Sequence, residues 1–396
     1  MIEKLKQEAI KEIDSIQDTL VDLSKFIYDN PETGCNEYKA VDKIITVLKS
    51  KGLKVKKGIC DLDTAFKSEY ETCSFGPVIG IMAEYDSLKM GHACGHNIIA
   101  ASSIGAYLVI AKLMNRENLP GKIVLFGTPA EETYGGKVYL ENNGAFNELD
   151  VALMAHPSDK NFVKSKSFFR KSIKFTFEGL SAHAAKAPYE GINALDAVVN
   201  LFNNVNALRQ QLPGTVKIHG IITDGGSEPN IIPAYTAAKI QIRALEQPTL
   251  DEITDKVKKC AEGASLAAGT KCDYEEYELT FKGILTNNRL ANLFADNLKK
   301  LGKEISEEEK MVGSTDMGNV SWSLPAIHPY VAISNEGVKL HTEEFLQAAE
   351  PYKSKSGLLT SSKAMAMTCI DLLINNEVLP DIHQEFKMKT QSFIDN

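Results

Sequence analysis

Apolar positions recur near helical period across residues 1–30, at Ile10, Ile13, Ile16, Leu20, Leu23 and Ile27, and predict one amphipathic helix. A second helix is expected over 37–51, closing at Gly52. Beyond it, short apolar runs alternate with longer helical patterns. Strands are predicted at 78–84, 122–127 and 151–155, and helices at 97–115 and 136–143. Alternation of this kind builds a mostly parallel sheet covered by helices on both faces. Ligands of such open sheets gather at the carboxyl ends of the strands.

The pattern changes near Lys171. Ile173, Phe175 and Phe177 alternate with polar residues, as in a half-buried strand. A helix is expected over 191–211, strands at 216–222 and 237–245 around a Gly225-Gly226 turn and Pro233, a helix over 249–268 and a strand at 274–281. That order is ferredoxin-like and predicts an inserted domain over 170–282. The chain then returns to a helix at 288–301, a Gly/Ser/Asp loop at 313–318, a strand near 330–334 and a closing helix at 356–375. The expected fold class is therefore α/β: a mixed, mostly parallel sheet with helices on both faces, interrupted by an α+β domain. Residues 1–169 and 283–396 would build the main domain together.

Composition narrows the class. With 396 residues, 43% of them hydrophobic and 24% charged, the chain can bury a large core and has a soluble balance. A net charge of −8 without a dense Lys/Arg patch argues against a nucleic-acid partner. The N-terminus lacks the apolar core of a signal peptide. Residues 98–114 contain Ser102, Ser103 and Lys112 and read as a buried helix, so no membrane partner is expected. Seven scattered cysteines point to reduced thiols and a cytoplasmic protein.

The chemistry sits at the predicted strand ends. Gly91-His92-Ala93-Cys94-Gly95-His96-Asn97 follows the first strand. Cys94 and His96 fall on one side if the backbone stays extended, and both are good ligands for zinc or a similar metal. The second strand runs into Glu131-Glu132 and the third into His156. Cys94, His96, Glu132 and His156 are thus candidate ligands, with His341 as a fifth from the C-terminal part. Five ligands suit two divalent cations about 3.5–4 Å apart; zinc is expected, with manganese or cobalt as alternatives. Glu131, beside a ligand but not needed as one, is the candidate general base for proton transfer from water to a leaving amine. Asp86 reads either as a carboxylate orienting a ligand imidazole or as a turn residue. His92 reads either as a ligand's partner or as a loop residue. His219, His328 and His383 lack such context and read as structural or surface residues. From residues alone, His183 is an ordinary loop histidine, and Asn230 and Arg243 matter only if they face the cleft.

Taken together, the motifs GHACGHN, GTPAEE, MAHPS, GLSAHAA, EPNIIP, GSTDMGN and HTEEF, spread over residues 91–345, resemble a known family. It is the co-catalytic metallopeptidase family of aminoacylases, carboxypeptidase G and plant hormone-conjugate amidohydrolases. The likeness is strongest to its His-Ala-Cys-Gly-His branch, which holds dipeptidases and aminobenzoyl-glutamate hydrolases. The resemblance implies Cys94, His96, Glu132, His156 and His341 as metal ligands and Glu131 as base. It implies that His183 reaches across a homodimer to steady the oxyanion in the partner's site. Asn230 and Arg243 match substrate-contacting positions, Arg243 being suited to grip a terminal carboxylate. The inserted domain matches the family's lid and dimerisation domain. Two departures stand out. Asn97 replaces an Asp common in relatives, which removes a negative charge expected near the metals. Met82-Ala83-Glu84 replaces an Arg-Ala-Asp, which leaves the role of Glu84 open.

The expected function is cleavage of the amide bond of a dipeptide or N-acyl amino acid, in a homodimer or larger homo-oligomer. A peptidase acting on longer peptides or internal bonds is the neighbouring alternative. A non-catalytic metal- or peptide-binding module is a different class, against which the retained Glu131 speaks. A redox role for Cys94 lacks a Cys-x-x-Cys pair.

Overall fold

A computed structural model describes residues 1–72, 75–306, 310–375 and 377–394. The chain divides into two compact units, Met1–Lys166 with Ile284–Asn396, and Ser167–Gly283.

The first unit opens with α1 (Ile2–Ser15), α2 (Gln17–Asp29) and α3 (Tyr38–Ser50), then β1 (Val55–Lys57), β2 (Phe66–Glu71) and β3 (Val78–Ala83). Next come α4 (His96–Glu117), β4 (Lys122–Gly127), α5 (Gly136–Asn142), β5 (Val151–Leu153), β6 (His156–Ser158) and β7 (Ser165–Lys166). The second unit holds β8 (Phe169–Glu178), α6 (Ala194–Arg209), β9 (Lys217–Asp224), β10 (Tyr235–Ala244), α7 (Gln247–Ala268) and β11 (Lys271–Glu276). The first unit resumes with α8 (Asn288–Lys300), β12 (Lys310–Met311), α9 (Met317–Ser323), β13 (Ala326–Ile327) and β14 (Tyr330–Ala332). It ends with α10 (Glu343–Ala348), α11 (Pro351–Ile374) and α12 (Val378–Ile394).

The main sheet of the first unit runs β1-β2-β4-β3-β5-β13. Pairs β3–β4, β3–β5 and β5–β13 are parallel, while β2 and β1 join antiparallel at one edge. The central strands are covered on both faces, which is why β3 and β4 read as unbroken apolar runs. Ile81 and Leu125 face one core with α1–α4, α8 and α11; Met82, Val124 and Phe126 face another with α5 and α9. Helices α4 and α11 are long and apolar enough to cross a membrane, and 94% and 83% of their most apolar windows are buried within the protein.

The structure differs from expectation in several elements. The predicted first helix breaks at Ile16 (φ −107°, ψ 9°). The break lets α1 and α2 each lay an apolar face on α4 and α11. β2 was invisible in the pattern because Lys67, Glu69 and Glu71 give it a largely polar composition. The run at 151–155 splits, because β6 leaves β5 to pair in parallel with β14, His156 opposite Tyr330. α12 follows the helix expected to close the chain.

The second unit is a four-stranded antiparallel sheet of order β11-β8-β10-β9. With α6 and α7 it is ferredoxin-like. Buried Ile173, Phe175 and Phe177 of β8 carry its core. β11 covers 271–276 rather than 274–281, because the apolar signal of Phe281 belongs to a separate bridge with Arg170. β9 is an edge strand with exposed Ile221 and Ile222.

Candidate metal centre

The first unit brings Cys94, His96, Glu131, Glu132, His156 and His341 together. Cys94 Sγ lies 3.3 Å from His341 Nε2 and 3.6 Å from His156 Nε2. Glu132 Oε1 lies 3.4 Å from His341 Nε2 and 3.9 Å from His96 Nε2. Three overlapping sets, Cys94/His96/His156, Cys94/Glu132/His341 and His96/Glu131/Glu132, each hold their ligand atoms within 4.8 Å.

Local backbone geometry produces this convergence. Cys94 and His96 do not share an extended segment, contrary to expectation. Gly95 adopts φ +80° and His96 starts α4, so the chain turns sharply between them. A Cβ at Gly95 would stand 2.5 Å from Pro157 Cγ, and the bare glycine admits the His156 strand end. His341 also has positive φ (+63°), and its N–H donates to Ala93 O at 3.0 Å, pinning the C-terminal loop beside Cys94.

Hydrogen bonds orient the rings. Asp86 Oδ1 lies 2.9 Å from His96 Nδ1, and Asp86 Oδ2 accepts the Glu132 N–H at 3.0 Å. One buried carboxylate therefore positions both a histidine and the backbone of a glutamate. His156 Nδ1 lies 2.7 Å from Pro157 O. With these Nδ1 atoms as donors, both Nε2 lone pairs point into the cluster. His96 Nε2 and Glu132 Oε1 are buried and have no hydrogen-bond partner. A soft thiol, three imidazoles and a carboxylate with orphaned atoms fit a divalent cation of the zinc type.

The electrostatics point the same way. Burial, then Glu132, pushes the Cys94 thiol well up. Burial opposes a charged His96, but Asp86, Cys94 and Glu84 outweigh it and raise its pKa well above normal. Burial and His96 lower His156 to about 4. Burial and the carboxylates Glu132, Glu84 and Asp316 raise Glu131 well above its ordinary value. Burial also works against the charge of Glu132, but His341 and His96 overcome it and bring it to about 2. The surroundings thus push the two adjacent carboxyl groups in opposite directions, Glu131 up and Glu132 down.

Sequence reasoning missed Lys137 here. Lys137 is fully buried; it donates to Glu84 Oε1 and, at 2.8 Å, to Asp316 Oδ1, and its backbone N–H reaches Asp316 Oδ2 at 2.9 Å. Glu84 Oε2 is unpartnered and 3.5 Å from His96 Nε2. His328, expected to be structural or superficial, is buried with its ring centroid 5.4 Å from that of His156. No signal in the sequence separated Lys137 from an ordinary helix residue, and none placed the His328 ring, between β13 and β14, against His156. His92 stacks on Tyr28 and bonds Ile27 O at 3.0 Å, a loop anchor rather than a cluster member. Asn97 donates to Ser24 Oγ and Ala349 O, so its amide is engaged by α2 and the end of α10.

His183, Asn230 and Arg243 belong to the second unit. His183 is exposed and bridges to Ile231, and the Ala184 N–H donates to Asn230 O at 3.0 Å. The two loops therefore share one end of that unit. Arg243, half-buried on β10, donates to Gln241 Oε1 at 3.2 Å.

Fold and site define a class: a metal-dependent hydrolase of α/β architecture with an inserted α+β domain. A peptidase dimerisation domain profile matches residues 168–267. Over 405 residues the chain is 36% identical to the Xaa-Arg dipeptidase of Mus musculus, covering 98% of this chain and 94% of that one. It is 26% identical to a p-aminobenzoyl-glutamate hydrolase polypeptide from Escherichia coli K12, over 96% of this chain and 94% of the relative. A Bacillus subtilis dinuclear metal binding peptidase from the M20 family shares the fold, with TM-score 0.67, 17% identity and coverage of 91% and 99%. The chain belongs to the M20 metallopeptidase family and is an enzyme of the metallopeptidase and amidohydrolase type.

Proposed function

We propose that this enzyme splits dipeptides or N-acyl amino acids, releasing a free amino acid. The observation that carries the reading is the convergence of Cys94, His96, Glu132, His156 and His341, with two buried ligand atoms left unpartnered and Glu131 alongside. Two divalent cations held there, zinc first among them, would supply Lewis acidity toward water and the scissile carbonyl. Glu131 takes the proton of the attacking water at its carboxylate and returns it to the leaving nitrogen. Burial and the neighbouring carboxylates raise its pKa, which strengthens it as a proton acceptor. Asp86 holds the His96 ring and the Glu132 backbone in register throughout.

The rest of the reading concerns assembly and specificity. The enzyme is a homodimer or larger, joined through the second unit, where exposed Ile221 and Ile222 on the β9 edge offer the surface. His183 serves the partner's site, and Asn230 and Arg243 hold the substrate, Arg243 through its terminal carboxylate. The location is cytoplasmic, in keeping with free thiols at six described cysteines. Dipeptides ending in arginine are the first substrates to expect, since the mouse relative is named for them.

The test compares wild type with Glu131→Gln after metal content has been verified. Turnover should fall by about 10²–10⁴-fold with metal content unchanged. Full turnover in the loaded variant would remove Glu131 as base. A panel of Xaa-Arg dipeptides, p-aminobenzoyl-glutamate, N-acetyl amino acids and a blocked hexapeptide then sets the substrate class. Cleavage of the hexapeptide at internal bonds would favour an endopeptidase.

A further inference from the structure

The dipeptide Glu131-Glu132 is only as well aimed as the residue before it. Ala130 is that residue, and it sits at φ +60°, in the left-handed region that disfavours side chains. Its carbonyl accepts the N–H groups of Tyr134 (3.1 Å) and Gly135 (2.8 Å), which closes the loop after Glu131-Glu132. Its own N–H is held from outside the loop: it donates to Glu37 Oε1 at 2.9 Å.

Glu37 is fully buried. Its Oε1 also accepts the Cys35 N–H at 3.0 Å, and its Oε2 accepts Thr64 Oγ1 at 2.9 Å. Cys35 is itself at φ +63°. Glu37 occupies the N-cap position of α3, where a carboxylate would ordinarily bond its own helix, yet it makes no such bond. Glu32 takes over that task, accepting the N–H groups of Lys39 (3.1 and 2.9 Å) and Ala40 (3.0 Å). The division of labour leaves Glu37 turned toward the Ala130 loop.

The same short segment grips the rest of the site's framework. A Cβ at Gly34 would stand 1.9 Å from Thr133 Oγ1 and 3.1 Å from Ala130 Cβ, so the turn at 33–36 lies directly on the Glu131-Glu132 loop. The carbonyl of Glu32 accepts the Ser87 N–H at 2.8 Å, next to Asp86. The loops carrying Asp86 and Glu131 are thus both clamped by residues 32–37.

We propose that Glu37 is a positioning residue of this active site: its carboxylate holds Ala130 in its strained conformation and thereby aims Glu131 and Glu132. The inference rests on the reading of Glu131 as base and Glu132 as ligand. Nothing in it requires Glu37 to touch substrate or metal.

The test uses the full-length, metal-loaded enzyme and the variants Glu37→Ala, Glu37→Asp and Glu37→Gln, with Glu131→Gln alongside. For each, kcat, KM, metal content and unfolding midpoint are measured on the cleaved dipeptide. Glu37→Ala should lower kcat about 100-fold, the scale of a misplacement near 1 Å, with a much smaller change in KM. Glu37→Gln keeps an acceptor for both N–H groups and can donate to Thr64, so it should restore most of the turnover. Glu37→Asp, one methylene short of the loop, should lose turnover while staying folded, and it carries the test if Glu37→Ala does not fold. Wild-type kcat per metal-loaded molecule in Glu37→Ala or Glu37→Asp, with only the unfolding midpoint lowered, would overturn the proposal. So would a loss in Glu37→Gln as large as in Glu37→Ala. An active, loaded Glu131→Gln would sink the base reading, whereas an inactive Glu131→Gln beside fully active Glu37 variants would sink this inference alone.

Discussion

Lys137 is a buried ammonium beside a cluster crowded with carboxylates. Burial opposes its charge, but Asp316, Glu84 and Glu131 hold it protonated. Removing it would leave Glu84 and Asp316 as uncompensated buried anions. Lys137→Met should therefore destabilise the protein by about 3–5 kcal/mol, read by urea unfolding. The triple variant that also carries Glu84→Gln and Asp316→Asn should recover part of the loss, because the orphaned charges go with the ammonium. An unchanged urea midpoint in Lys137→Met would contradict the buried-triad account. Glu37 yields a pH prediction. Burial and the nearby Asp86 raise it to about 7 from 4.5, although Thr64 and the Ala130 N–H pull it down. The Cys35 thiol and the Tyr85 hydroxyl also face it, and both stay neutral because burial raises them. A carboxyl with a raised native pKa binds more protons folded than unfolded between those values, so stability falls as pH rises from 4.5 to about 7. The cost, fully present above that range, is on the order of 3 kcal/mol. Glu37→Gln should flatten that slope in metal-free protein, and an unaltered slope would contradict it.

At the scale of elements, legibility followed burial. β3 and β4 announce themselves as continuous apolar runs because helices cover both their faces. β2 is shorter on apolar residues, and exposed β11 carries mostly polar ones, so neither gave a reliable period. The site divides in the same way. Cys94, His96, Glu132 and His156 stand out because metal-ligand chemistry at predicted strand ends is conspicuous, whereas His341, in a loop before α10, stood out mainly through the resemblance of its HTEEF motif. Lys137 and Glu37 do not, because their partners lie 179, 53 and 93 residues away and only the fold brings them together. The turn at Gly95 was likewise hidden, since a Cys-Gly-His run reads equally well as extended chain. The β9 edge makes a prediction of its own. Ile221 is 64% exposed on a strand with one unpaired side. Ile221→Lys should shift a dimer toward monomer in sedimentation velocity while leaving the second unit folded by circular dichroism. A dimer of unchanged strength would place the interface elsewhere.

The whole molecule combines two units with separate tasks. The first, Met1–Lys166 with Ile284–Asn396, holds every candidate metal ligand and the proposed base, Glu131. The second, Ser167–Gly283, carries His183, Asn230 and Arg243 and the matched dimerisation domain. On the proposed reading hydrolysis depends first on cations assembling in the first unit, and that is open to direct observation. Crystals of the enzyme purified with zinc, measured on both sides of the zinc absorption edge, should show two anomalous peaks per chain about 3.5–4 Å apart. Both should be ringed by Cys94, His96, Glu132, His156 and His341, with Glu131 facing them and bonded to neither. An absence of peaks among these residues in catalytically active crystals, or Cys94 and His341 turned away from the peaks, would contradict it.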